Sequence, residues 1–566
     1  MLNPILKAQL CLLALMLALA GHACSVSHTI IPKGNPAPTP SDAPPSTTPD
    51  APPDEGKTSP LAAPLLVRRL ALDLTMRLPN AADAALINAG KTPQLITAYL
   101  NDRASAQALA ALHPRMWHLA SKELDVLDAF VAAGDTSLAA SLTTATRQAI
   151  VQEPSLAVRY VLEQQLPWHT LFEAPSIITP ASLLTLWQAS DQGNAFAGES
   201  DRFATAFGTP GAAGLLVDPA FLASVGGDNR IYPRTGRIFK ELLCLAAVPP
   251  SVHDFNSLSS ADLMSDLDDV ALTKKECAGC HALLAGARQA YSGFANGSTF
   301  STWLQAPTAF DTTTGSYGGA TFQGLAALGK LVGNDPRMQR CEVLKLFEEI
   351  YQRPYTDADQ TMLAVALDAF KRDGENLTSA AQELVLASDY NNAPVGDSVK
   401  GKGKRSHTGV KFLGRAQWEA LFAATLPKNT LLFTDDLDPG QDEAFSGADH
   451  VPSGVYWHAV DRLARQAATE VVAAELADQV LATNRRLLTT LPDGAAASAT
   501  AAVVTQQFQD LWLTLTGTPL TANDQILNDL QTLWNKLAPA ATAEASRQAW
   551  CTILTAVFSH PALVSY

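Results

Sequence analysis

The 566-residue chain is short of positive charge: 40 Lys and Arg stand against 55 Asp and Glu, for a formal charge of −15 and a pI near 5.2. That deficit argues against nucleic acid or an anionic membrane surface as a partner, because both reward basic patches. A long hydrophobic run is also missing. The apolar stretch Leu10–Ala20 is too short to be a good membrane span. No Ser-His-Asp order, carboxylate pair or phosphate loop stands out, so nothing supports a hydrolase. Cysteine is scarce, with 7 in the chain, and a Cys-x-x-Cys spacing occurs once. Hydrophobic residues at 47% and charged residues at 17% give a globular balance rich in Ala and Leu. The length exceeds one compact core and implies roughly two to four units.

That single spacing is Thr273-Lys274-Lys275-Glu276-Cys277-Ala278-Gly279-Cys280-His281. Cys-x-x-Cys-His is the attachment sequence for a c-type haem. Thr273 and Glu276 form a capping-box pair, which predicts a helix from Lys274. Cys277, Cys280 and His281 then share one helical face. Two thiols can reach the two vinyl groups, and the imidazole can turn under the iron as proximal ligand. Chance alone predicts about 0.002 copies of this pattern in the chain. The competing readings are a redox dithiol or disulfide, and half of a zinc site. Zinc wants a second ligand pair, and His113 with His118 is a poor one, five residues apart with Pro114 between them.

Residues 1–24 read as a signal peptide. Lys7 supplies a meagre n-region, Leu10–Ala20 the apolar core, and Gly21-His22-Ala23-Cys24 the end. This predicts a lipoprotein signal with Cys24 lipidated, and so an N-terminal membrane anchor. Ordinary cleavage after Ala23 is the plainer alternative. Export permits structural disulfides. With Cys11 in the signal and Cys277 and Cys280 on haem, Cys244, Cys341 and Cys551 are left over. Cys244 with Cys341 is the expected pair, and two small buried hydrophobes is the rival reading.

Residues 25–62 are a Pro-, Ser- and Thr-rich linker. An N-terminal helical domain is expected over 63–205. Leu66, Val67, Leu70 and Leu74 form its first stripe, a stop follows near Pro79, and Asn80 with Asp83 caps the next helix. Helices are expected to follow one another to about residue 200, with Trp117, Trp168 and Trp187 packed inside. His113, His118 and His169 are read as structural. Residues 206–395 form the expected haem-binding domain. It has a helix from about Thr235 to Leu245, an acidic run (Asp262, Asp266, Asp268, Asp269) and a loop over 286–325 wrapping the haem edge. A helix starts at Pro336 with Asp335 as cap. Residues 396–411 are a Gly/Lys linker, and 412–566 a C-terminal helical domain.

One internal repeat emerges. Arg353-Pro354-Tyr355-Thr356-Asp357-Ala358-Asp359-Gln360 is echoed by Thr518-Pro519-Leu520-Thr521-Ala522-Asn523-Asp524-Gln525, and loosely by Leu78-Pro79-Asn80-Ala81-Ala82-Asp83. Each predicts a helix end at proline and a Thr/Asn-x-x-Asp cap opening the next helix, in the manner of αα-hairpins. The fold class is therefore mainly α, with several helical modules around a c-type haem-binding segment.

The run Gly214-Leu215-Leu216-Val217-Asp218-Pro219-Ala220-Phe221-Leu222-Ala223, then Arg234-Thr235-Gly236-Arg237, Leu242-Leu243-Cys244 and Cys277 to His281, resembles exported cytochrome-like families of unknown function from planctomycetes and myxobacteria. Gly324 to Pro354 resembles the small helical module that follows there. The resemblance covers residues 206–395. It implies exported, mostly helical modules with Cys277, Cys280 and His281 as the haem site, and says little about substrate. The chain departs from those families directly after the motif. Ala282-Leu283-Leu284-Ala285-Gly286-Ala287 stands where an Asp-Pro-x-Gly-Phe-like stretch is usual.

The sixth iron ligand has candidates in Met338, Met264 and His253, with core packing the alternative for Met338. A Met/His pair would raise the potential and favour electron transfer over oxygen chemistry. The expectation is an exported carrier of one covalent haem c, lipid-anchored in the periplasm or outer membrane, exchanging electrons with a redox partner protein. Two rivals stand beside it: a peroxidase-like enzyme with an open iron face, and a non-redox surface lipoprotein in which Cys277 and Cys280 form a disulfide.

Overall fold

A computed structural model describes residues 58–119, 124–205, 213–223, 235–236, 238–244, 286–287, 289–291, 300, 314–394, 413, 417–418, 421–422, 454–477, 480–492, 499–537 and 542–564. Among these residues the protein is mainly helical. None of their helices is long and apolar enough to cross a membrane.

Helix starts follow the local chemistry. The Asn80 side chain accepts the N–H groups of Ala82 (2.9 Å) and Asp83 (3.1 Å), and Asp83 accepts the Asn80 N–H at 2.8 Å, opening Ala81–Asn88. Thr356 donates its N–H to Asp359 at 2.8 Å ahead of Gln360–Arg372, and Thr521 does the same to Asp524 ahead of Gln525–Leu537. All three copies of the repeat thus close with one kind of bond. Two carry a further lock six residues upstream of the aspartate. Arg353 grips Asp359 with two bonds of 2.7 and 2.6 Å, and Arg77 lies 3.5 Å from Asp83.

The chain divides into two compact units. One comprises residues 1–72, 76–91 and 391–566, and the other residues 73–75 and 92–390. The expected break at 205/206 falls inside the second unit, and the first stretch of the expected N-terminal domain belongs with the C-terminal helices. Pairing explains both differences. In the first unit, strand Thr58–Pro60 runs antiparallel to Asn392–Pro394. The buried Arg68 of helix Ala63–Thr75 donates to the carbonyls of Ala562 (3.0 Å) and Leu563 (2.7 Å). The core there joins Leu72 to Val460, Leu463, Phe508 and Trp550, on helices Gly454–Glu475, Ala501–Thr516 and Ala543–Phe558.

In the second unit, helices Arg103–Met116 and Thr144–Glu163 pack together, and helix Pro336–Tyr351 lies against the first of them. Trp117, Trp168 and Trp187 are fully buried. Where helices were expected up to residue 200, a three-stranded antiparallel sheet stands, with Arg202–Thr205 between Ile177–Thr179 and Ser190–Asn194. Ser190–Asn194 is largely exposed and polar, so no apolar alternation marks it as a strand. Part of the expected 286–325 loop is a hairpin of Thr314–Tyr317 with Ala320–Gln323, turned by Gly318 and Gly319 at φ +58° and +85°. The described part of the helix expected at Thr235–Leu245 includes a π-helical turn, Ile238–Leu242.

Candidate functional site

Cys277, Cys280 and His281 lie outside the described residues, as do Cys24, His253 and Met264. By sequence position the motif falls in the span of the second unit. Cys244 and Cys341 of that unit are joined by a disulfide, 97 residues apart in sequence with Cα atoms at 5.3 Å. Cys551, in the first unit, is also disulfide-bonded. Met338 lies one turn before Cys341 on helix Pro336–Tyr351, and both side chains are buried. Asp335 starts that helix by accepting the Arg337 N–H at 2.8 Å, with Pro336 at its first position.

The same helix carries a polar seam against helix Arg103–Met116. His113 is fully buried; its Nδ1 bonds the Leu109 carbonyl at 2.9 Å and its Nε2 the Glu342 carboxylate at 2.8 Å. Trp117 and Trp168 flank the ring. Arg115 pairs with Glu349. One turn beyond Cys341, the Lys345 ammonium donates to the buried Glu241 carboxylate at 2.8 Å and to the Met116 carbonyl at 2.5 Å. Glu241 also holds the Nδ1 of His118 at 2.8 Å. Burial alone would raise the Glu241 carboxyl. The His118 hydrogen bond and the Lys345 charge outweigh it and hold the group well below the usual carboxylate range. Glu241 precedes Cys244 by three residues, so the disulfide and the ion cluster tie the same segment to the same helix.

A third carboxylate–imidazole pair joins His169 Nδ1 to Glu375 at 2.8 Å, with Gln339 donating to the other Glu375 oxygen at 2.9 Å. Two further carboxyls are buried with no cation on them among the described residues. Glu153 accepts the Trp187 indole N–H, and Asp218 caps Pro219–Ala223 by accepting from Ala220 (2.9 Å) and Phe221 (3.0 Å). Burial first, and then the Asp218 charge, raises Glu153 well above its ordinary value. Burial pushes Asp218 up to about 7.

Sequence reasoning placed Met338 and Cys341 in this helix and expected Cys244 as the partner of Cys341, and it missed the helix's ionic face. Glu342, Lys345 and Glu349 stand at i, i+3 and i+7, a spacing that points one charged stripe at a neighbour and could have been read as such. Their partners could not, being 229 residues away for His113 and Glu342 and 104 for Lys345 and Glu241. Among the described residues, no group of three or more His, Cys, Asp or Glu side chains is arranged to hold a metal ion. Comparison of the chain with protein families, curated proteins and solved structures finds no match.

Proposed function

We propose that the chain is an exported c-type haem protein that carries electrons. The observation that carries this reading is Cys277-x-x-Cys280-His281, the one Cys-x-x-Cys of the sequence, with the histidine directly after it. The donor set fits the group: two thiols for the vinyl carbons and an imidazole for one face of the iron. Met338, a buried thioether in the same unit, is the residue we assign to the other face. Bound haem supplies a one-electron couple. Cys277, Cys280, His281 and Met338 are the residues that would hold the haem. The Cys244–Cys341 disulfide supports export, because such bonds persist in oxidising compartments. The acidic chain suits a basic redox partner.

A pyridine haemochrome spectrum of the exported protein beside Cys277→Ala tests the reading. Wild type made in cells that mature c-type cytochromes should keep its haem through acid-acetone extraction, and Cys277→Ala should show a shifted band from one lost thioether. A colourless wild type overturns the proposal and leaves the lipoprotein with a Cys277–Cys280 disulfide. Carbon monoxide binding by the native ferrous protein would replace the electron carrier with an enzyme having an open iron face.

A further inference from the structure

In the second unit a cavity of about 310 Å³ opens between helices Arg103–Met116 and Thr144–Glu163, with Pro180 and Asp201 also lining it. That volume is at the small end of ligand sites. Its floor is apolar, made of Ala110, Ala111 and Ala149 with Leu156. Its polar lining is Gln107, Gln152, Ser155, Arg159 and Asp201, and Asp201 is the one carboxylate among them. Arg159 faces its own carboxylates: Nε donates to Glu163 at 2.7 Å, and each terminal nitrogen donates once to Glu199, at 2.7 and 2.6 Å. The Ser155 hydroxyl donates to the Gln152 carbonyl at 2.6 Å. Pro114, inside its helix, has no N–H to give the carbonyl of Ala110.

Charge at the cavity does not balance. Arg103 and Arg159 together are matched by Glu163 and Glu199, which bridge them. Asp201 is then one carboxylate in excess. It is half-buried, and none of the described side chains donates a hydrogen bond to it. Burial first, and the Glu199 charge second, holds its carboxyl above the usual range in spite of Arg159. A ligand bringing one positive charge would offset the Asp201 carboxylate, whereas an anion would be repelled by Asp201 and by the nearby Glu199 charge.

We infer that this cavity binds a small aliphatic amine, its ammonium held by the Asp201 carboxylate and its stem lying on the alanine floor. The inference does not rest on the haem reading, since no lining residue belongs to the motif.

Calorimetric titration of the full-length protein with butylamine, and with butan-1-ol as the uncharged isostere, tests it. The amine should bind saturably with a Kd at or below about 1 mM, and the alcohol should not. Asp201→Asn should weaken the amine by about tenfold or more, the scale of one charge-assisted hydrogen bond. Ala149→Leu, which fills the cavity from a half-exposed position, should abolish binding while the circular dichroism spectrum is unchanged. Equal binding of amine and alcohol, no binding of either, or an Asp201→Asn protein that binds the amine like wild type would each overturn the assignment.

Discussion

Asp218 caps a short helix and is fully buried in the second unit, where Glu153 feels its charge and no cation among the described residues offsets it. Its folded pKa of about 7 lies above the ordinary aspartate value of 3.8. Between those values the native protein holds a proton that the unfolded chain has released. The resulting stability is fully present below the unfolded value and is lost as pH rises through about 7, with a slope of up to about 1.4 kcal/mol per unit. Glu153, raised in the same direction, adds to the trend. Glu241 works oppositely. Its depressed pKa contributes stability above the unfolded value that is lost in acid. Asp218→Asn keeps an oxygen for the two capping N–H groups and removes the titration. Urea unfolding at pH 5 and pH 8 should show wild type losing stability across the interval and the variant losing markedly less. Parallel losses in the two proteins would show that this carboxyl does not titrate as described.

Among the elements, the backbone of His169 to Phe172 is pressed on by glycines from two other segments. A Cβ on Gly214, which has φ +49°, would meet the Leu171 carbonyl oxygen at 2.0 Å. A Cβ on Gly329 would lie 2.2 Å from the Phe172 oxygen, and one on Gly333 would lie 3.1 Å from the Cβ of His169. Gly329 and Gly333 are one turn apart on helix Gly324–Gly333, so that helix packs through a face without side chains. Gly→Ala in an open helix stabilises by roughly 1 kcal/mol. Here the clash is with backbone that has no room to give, so Gly329→Ala should instead cost about 1–3 kcal/mol. A fall in the thermal midpoint of the second unit would show it, and a rise would mean the two segments sit farther apart than the structure has them. The paired glycines were visible in the sequence as Gly-x-x-x-Gly, and the hairpin was visible as Gly318-Gly319 between short strands. The hairpin was passed over because its stretch, 286–325, read as one Gly/Ser/Thr-rich loop. Gly329 and Gly333 lie beyond it on helix Gly324–Gly333, where their close packing needs a partner distant in sequence. The caps at Asn80, Asp335 and Thr356 were read correctly, because a cap is decided within four residues.

For the molecule as a whole, what resisted reading is what depends on distant pairing. The haem motif is local chemistry and legible at once, whereas the salt-linked seam beside Met338 needed partners more than a hundred residues away. The division into units resisted for the same reason. Composition shifts suggest boundaries where the chain changes character, near residues 205 and 396, yet the first unit is assembled from both ends of the chain. Arg68 is the residue that joins them. It is 1% exposed and donates to two carbonyls 494 and 495 residues away, at the end of the last helices. Arg68→Ala would leave both carbonyls without that donor, at about 1–3 kcal/mol for the buried loss. If the units are separately cooperative, the damage should stay in one of them. Hydrogen exchange read by mass spectrometry should then show faster exchange across Ala543–Phe558 and Pro561–Val564, with Arg103–Met116 and Thr144–Glu163 as protected as in wild type. Equal deprotection of both sets would mean that the chain unfolds as a single cooperative body. The cavity at Asp201 and the segment bearing Cys277 to His281 would then share the fate of the helices that Arg68 anchors.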